Sequence, residues 1–294
     1  MVAFVAVGLG LGACGGASPD RSGASSGATA SRKPAGSEVI LATTTSTQDS
    51  GLLDMLVPAF EAETGHRVKT IAVGSGQAIE LGRRGEADVV LAHSPAAEQE
   101  LVASGVTGER LLVMHNDFVI IGPASDPAGV AKARSLAQAM RAIASGAAPF
   151  ISRGDQSGTH TLELKLWQRA GITPGGRWYQ ESGQGMGATI QLTAEKRAYT
   201  IADRGTYLAT RTQAGSGLKV LFEGDPALLN VYHVIPITQA AGARVNADGG
   251  LAFANWIAGK RSQGMIADFG VATYGRALFV PDAGKREADL APAA

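Results

Sequence analysis

Residues 150–160 read FISRGDQSGTH. An apolar strand end, Phe150-Ile151, runs straight into a loop that holds two serines, two glycines, a threonine and Arg153. A helical pattern then sets in, from about Thr159 to Arg169. A loop that only reverses the chain needs one glycine or a Pro-Asp pair, so the surplus here is one of hydrogen-bond donors. It lies where a strand ends and a helix starts. The first backbone N–H groups of a helix have no intrahelical partner, and with the positive end of the helix dipole they make an anion site that needs no formal charge.

The same arrangement occurs twice upstream. Val39–Ala42 (VILA) is a short β-like run followed by Thr43-Thr44-Thr45-Ser46, and Leu53, Leu56, Val57 and Phe60 then fall on one helix face. Pro58 inside that pattern predicts a kink or a broken helix. Val68–Val73 alternates like a strand and ends in Gly74-Ser75-Gly76, before a short helical stretch. Further strands are predicted at 87–92, 116–122, 178–181, 198–201 and 231–237, and helices at 95–103, 136–143, 251–257 and 264–269. Strands alternating with helices predict an α/β fold with a mainly parallel sheet. In such sheets ligands sit beyond the carboxyl ends of strands, so three donor-rich turns there would surround a small oxyanion. Glycines at 74, 76, 154 and 158 allow close backbone approach, and Arg153 offers a planar fork for two oxygens.

Organisation follows the same pattern. Two α/β units are expected, residues 119–235 forming one lobe and 38–118 with 236–294 the other. The extended segments near Phe118–Ile121 and Val231–Ile235 serve as crossovers. Residues 1–13 fit a signal peptide whose apolar run, 2–12, is too short for a bilayer, although no Lys or Arg precedes it. It ends Leu11-Gly12-Ala13-Cys14 like a bacterial lipobox, which makes Cys14, the chain's single cysteine, the expected lipidated residue. Residues 14–37 are rich in Gly, Ser and Ala and read as a tether.

The 294 residues carry 26 Lys+Arg against 26 Asp+Glu, a formal net charge of zero, which argues against a nucleic-acid partner. The same balance leaves any bound anion to local geometry. A few hydrogen bonds to a charged group, about 1.5–3 kcal/mol each, are enough for nanomolar binding at about 12 kcal/mol. Each loop also has a plainer reading. Ser or Thr before a helix is commonly an N-cap, and Arg153-Gly154-Asp155 reads equally as a self-paired surface turn. Asp203-Arg204 are expected to pair with each other or with a cleft wall. Enzyme motifs are weak: residues 154–158 miss the Gly-x-Ser-x-Gly elbow by one place, and His160 lies close in sequence to Ser157, which leaves a Ser/His pair open. The five histidines (66, 93, 115, 160, 233) show no metal-ligand spacing and read as core or surface residues.

TTTSTQDSGLLD, GSGQA (74–78), NDFVIIGP, SRGDQSGTH, WYQESGQGMG and AYTIADRGTYLA together resemble the tungstate-binding proteins of ABC transporters, over about Val39 to Val280. The resemblance implies a hinged, two-lobed type II periplasmic-binding-protein fold with the ligand cleft between the lobes. It implies a monomeric, non-enzymatic receptor, without cofactor or bound metal, that delivers tungstate or molybdate to a membrane permease driven by an ATPase. With Cys14 lipidated, it would be anchored outside the cytoplasmic membrane. Carried over residue by residue, it implies ligand contacts from Thr44, Thr45, Ser75, Arg153, Ser157 and Thr159. Tungstate is a fully deprotonated dianion at neutral pH and suits a site made only of donors. Monohydrogen phosphate carries a proton and wants an acceptor; Asp155 keeps a phosphate-binding reading open.

Overall fold

The computed structural model describes residues 36–210 and 217–291. The signal-peptide expectation for 1–13, Cys14, and all but the last two residues of the expected tether lie outside them. Gly36 and Ser37 are already part of the fold: Gly36 N–H donates to Gly65 O at 2.8 Å and Asn246 Nδ2 donates to Ser37 Oγ at 2.7 Å.

The chain first runs through β1 (Glu38–Thr44), α1 (Thr45–Asp49), α2 (Leu52–Thr64), β2 (Arg67–Val73), α3 (Ser75–Arg83), β3 (Val89–Ala92), α4 (Pro95–Ala103) and the 13-residue β4 (Leu111–Pro123). Then come α5 (Leu136–Ser145), β5 (Phe150–Ser152), α6 (Gly158–Arg169), β6 (Tyr179–Glu181), α7 (Met186–Lys196), β7 (Thr200–Asp203) and α8 (Arg204–Thr210). Finally β8 (Leu218–Phe222), β9 (Leu229–Pro236), α9 (Ala247–Ile257), α10 (Lys260–Asp268), α11 (Val271–Tyr274) and β10 (Val280–Pro281) close the fold. Pro58 does not break α2: the element continues to Thr64, where Gly65 ends it in the left-handed region at φ 81°. The Thr43–Ser46 turn leads into the short helix α1.

The sheet is mixed, which corrects the expectation of a mainly parallel one. Hydrogen-bonded order is β10-β4-β9-β3-β1-β2. β1 runs parallel to β2 and β3, whereas β3–β9, β4–β9, β4–β7, β4–β8 and β4–β10 are antiparallel. Beyond β7, Phe150 bridges Tyr199 and β5 pairs with β6, both parallel. The cause lies in the long β4 and β9, which are not βαβ crossovers and so need not run parallel.

Side-chain alternation assigns the layers. In β1 and β3, Val39, Leu41, Val89 and Leu91 face one core with Leu56, Phe60 and Phe253; Ala42, Val90 and Ala92 face a second core with Ala78 and Ile79. β4 repeats this further along: Phe118 and Ile120 pack with Met140, Ile143 and Trp167, and Val119 and Ile121 with Met186 and Ile190. Each large aliphatic buried this way is worth about 1.5–3 kcal/mol. β4 changes partner between adjacent residues, Asp117 pairing with Leu229 of β9 and Phe118 with Asp203 of β7. β9 pairs with β4 and β3 over its whole length from Leu229. The described residues group as one compact unit.

Candidate oxyanion site

The carboxyl ends of β1, β2, β3 and β5 deliver their turns to one place. On the β1 turn, Thr43 Oγ1 donates to Leu91 O (2.9 Å), a tie within the sheet. Thr44 is the N-cap of α1; its Oγ1 accepts from Thr47 N–H at 3.3 Å and lies 3.1 Å from Ser46 Oγ and 2.7 Å from Thr47 Oγ1. Thr45 Oγ1 accepts from Arg153 Nη2 at 3.3 Å, which joins the β1 and β5 turns. Ser46 Oγ sits 3.2 Å from His93 Nε2, joining β1 to β3.

The β2 and β5 turns abut. A Cβ added at Gly74 would sit 3.8 Å from Ser157 Cα, and one at Gly158 would sit 3.1 Å from Ser75 Oγ. The first is an ordinary contact, and the second is tight enough to favour glycine at 158, where the two turns share the space. Gly154 needs it for a second reason, a φ of +60°, and a Cβ there would meet Glu181 Cβ at 2.6 Å. Ser157 caps α6, its Oγ accepting from His160 N–H at 3.3 Å, and His160 Nδ1 accepts from Gln156 N–H. The imidazole is therefore turned to the backbone of Gln156, which removes the Ser157–His160 nucleophile reading.

Arg153 is buried, although its turn reads as a surface loop. Its Nη2 pairs with Asp155 Oδ2, and Asp155 Oδ1 accepts from Ser157 N–H at 3.2 Å. Both carboxylate oxygens of Asp155 are thus engaged. Arg153 Nε, Ser75 Oγ and Thr159 Oγ1 are buried without a hydrogen-bond partner. A buried donor left unpaired costs about 1–3 kcal/mol, and here three of them occupy turns in contact. Asp203 and Arg204 do not pair with each other: Arg204 Nε donates to Asp117 Oδ1 at 2.7 Å and its Nη2 reaches Glu223, while Asp203 Oδ1 accepts from Thr206 N–H.

The site's electrostatics follow from burial around one guanidinium. Burial, then Arg153, lowers His93 to about 4, so the ring is neutral at pH 7. Burial raises Asp203 to about 6, offset in part by Thr206 and Arg153. Burial also raises Asp49, whose Oδ2 accepts Gly187 N–H at the start of α7. The place selected is one where a permanent cation is scarce and neutral donors are many. Neither His93 nor Asp203 stands out as a site residue in the sequence. Each directly ends a strand, His93 after VVLA and Asp203 at the close of TIAD, and that position is the signal which would have found them.

Residues 23–261 match the PBP superfamily domain. The tungstate-binding protein TupA of Peptoclostridium acidaminophilum is 48% identical over 249 residues, 84% of this chain and 86% of that protein. The chain belongs to the tungstate-binding protein family. A second family member, TupA of Campylobacter jejuni subsp. jejuni, is 39% identical over 245 residues, 82% of this chain and 90% of its own. Among solved structures, the tungstate ABC transporter protein of Geobacter sulfurreducens aligns with a TM-score of 0.73 at 46% identity, over 79% of this chain and 98% of that one. Tungstate-binding family membership accords with the α/β fold and with donor turns gathered at strand ends. No helix of the described residues is long and apolar enough to cross a membrane, and no cluster of metal-binding side chains occurs among them.

Proposed function

We propose that this chain captures tungstate, and molybdate as an ion of the same shape and charge, at the junction of the β1, β2, β3 and β5 turns, and hands it to an ABC permease driven by its ATPase. One observation carries the reading: Arg153 Nε, Ser75 Oγ and Thr159 Oγ1 are buried donors with nothing to donate to. A fully deprotonated dianion satisfies all three. Thr45 and the free N–H groups at the starts of α3 and α6 add donors from the same direction. Thr44 caps α1 and Ser157 caps α6, which holds those two starts in place, and Ser157 keeps an O–H to offer. The phosphate alternative needs an acceptor, and Asp155 is already committed to Arg153 and Ser157 N–H.

The binding movement would be closure of two lobes, 38–118 with 236–294 against 119–235, flexing where β4 changes partner and β9 begins. Cys14 would carry the lipid that keeps a monomeric receptor at the membrane surface; the supporting feature is its position at the end of an apolar run. Mass spectrometry of the protein from a lipoprotein-processing host checks the anchor.

A thermal-shift panel with tungstate, molybdate, sulfate and phosphate tests the ligand. At a hundred times Kd, binding adds about 2.7 kcal/mol, so tungstate and molybdate should raise Tm clearly and phosphate little. A larger shift with phosphate than with tungstate would reverse the reading.

A further inference from the structure

We propose that His93 is a further ligand contact of this site: its Nδ1–H donates to an oxygen of the bound oxyanion, and a chain of hydroxyls fixes the ring tautomer that permits it. This rests on the oxyanion reading above. His93 is 6% exposed and sits at the carboxyl end of β3, in the gap between the β1 and β5 turns. Its Nδ1 is buried and makes no hydrogen bond within the chain, as is true of Ser75 Oγ, and the Asn230 side chain stands beside the ring. A Cβ built on Gly158 would lie 3.5 Å from that Nδ1 and 3.1 Å from that Oγ, so both orphan atoms flank the bare α-carbon that opens α6. The ring is held there by Tyr232, at 4.7 Å between centroids, and by Phe118, at 6.4 Å.

Since the ring is neutral at pH 7, one nitrogen carries the proton and the other a lone pair. The contacts at Nε2 decide which. Ser46 Oγ lies 3.2 Å from Nε2, Thr44 Oγ1 3.1 Å from Ser46 Oγ, and Thr47 Oγ1 2.7 Å from Thr44 Oγ1. Hydroxyls in a row align their donors in one direction. Running inward, Thr47 donates to Thr44, Thr44 to Ser46 and Ser46 to Nε2, which leaves the proton on Nδ1 and aims a donor at the anion. Running outward, Nε2–H donates to Ser46 and a lone pair faces the anion, an arrangement a dianion repels. A bound dianion therefore selects the inward chain. This gives Thr44, Ser46 and Thr47 a part in ligand binding through His93.

Nitrogen NMR of the ¹⁵N-histidine-labelled protein reads the tautomer directly. With tungstate bound, His93 Nδ1 is expected to be protonated and Nε2 not. Two variants separate the roles by calorimetry. His93→Asn places its amide near the Nδ1 position and keeps a donor toward the anion. His93→Gln reaches toward Ser46 instead and loses that donor. One hydrogen bond to a charged group corresponds to about a ten- to hundredfold change in Kd; His93→Gln should weaken tungstate binding by that much and His93→Asn by markedly less. A proton on Nε2 in the loaded protein, or a His93→Gln variant that binds as tightly as the wild type, overturns the proposal while leaving the tungstate reading standing. Failure of the wild type to bind tungstate overturns both.

Discussion

Arg153 and Asp203 are the residues on which the site's charge balance turns. Arg153 is 3% exposed and the cation that lowers His93 and counters Asp49 and Asp203. Arg153→Ala removes the buried guanidinium whose Nε–H is left to donate to the ligand, and calorimetry should show tungstate Kd rising at least about a hundredfold with the far-UV circular dichroism unchanged. Unchanged binding would move the site elsewhere. Asp203 is fully buried with Oδ2 unpaired, and its pKa stands at about 6 against an ordinary 3.8. A folded-state pKa above the unfolded one means the native state binds the proton more readily between those values, so this group costs stability above pH 6 and the cost disappears as pH falls toward 4. The shift corresponds to about 3 kcal/mol. Asp203→Asn, which keeps an oxygen for Thr206 N–H, should be more stable than the wild type at pH 7 and equal to it near pH 4, by denaturant melts at both values.

At the scale of elements, the Arg153 turn is braced by the helix that follows it. Glu163 of α6 is 2% exposed and accepts from Ser152 Oγ (2.7 Å), Tyr179 Oη (2.8 Å) and Trp167 Nε1 (3.0 Å). Ser152 Oγ in turn accepts from Gly154 N–H at 3.2 Å, and Ser182 Oγ donates to Arg153 O at the same distance. β5, β6 and α6 are thus pinned around one carboxylate whose pKa burial raises. Glu163→Gln puts a donor where three donors already point. It should lower stability by about 1–3 kcal/mol in thermal melts and weaken tungstate binding less than Arg153→Ala does, since the turn is loosened and the guanidinium retained.

Across the whole molecule, β4 carries the chain from one pair of cores to the other. At the step where it changes partner, buried Asp117 holds Arg204 of α8, and Arg204 reaches on to Glu223, which precedes β9. The ion pair ties together the strand, the helix and the returning segment, at the step where the proposed hinge would flex. Arg204→Ala leaves Asp117 buried without its partner, a loss of about 3–5 kcal/mol that urea titration should register. Small-angle scattering should show the wild type contracting with tungstate and the variant contracting less; no contraction in the wild type would argue against lobe closure.

The sequence alone determined that this is an α/β protein with donor-rich turns at its strand ends, and which turns those are. Alternation and helix faces are local properties, and Thr43–Ser46, Gly74–Gly76 and Ser152–Thr159 announce themselves by composition. The long motifs determined the family. Strand direction was decided only by the tertiary structure, because β4 and β9 each pair with segments far away in the chain and no local pattern records a partner's polarity. Burial decided the rest. Arg153 reads as a ligand clamp or as part of a self-paired surface turn and proves buried and paired with Asp155; Asp203-Arg204 read as pairing with each other or with a cleft wall and are split between two networks; and His93 reads as a core or surface histidine until the β1 and β5 turns close around it. Charge, protonation and an unpaired donor are properties of surroundings that only packing creates.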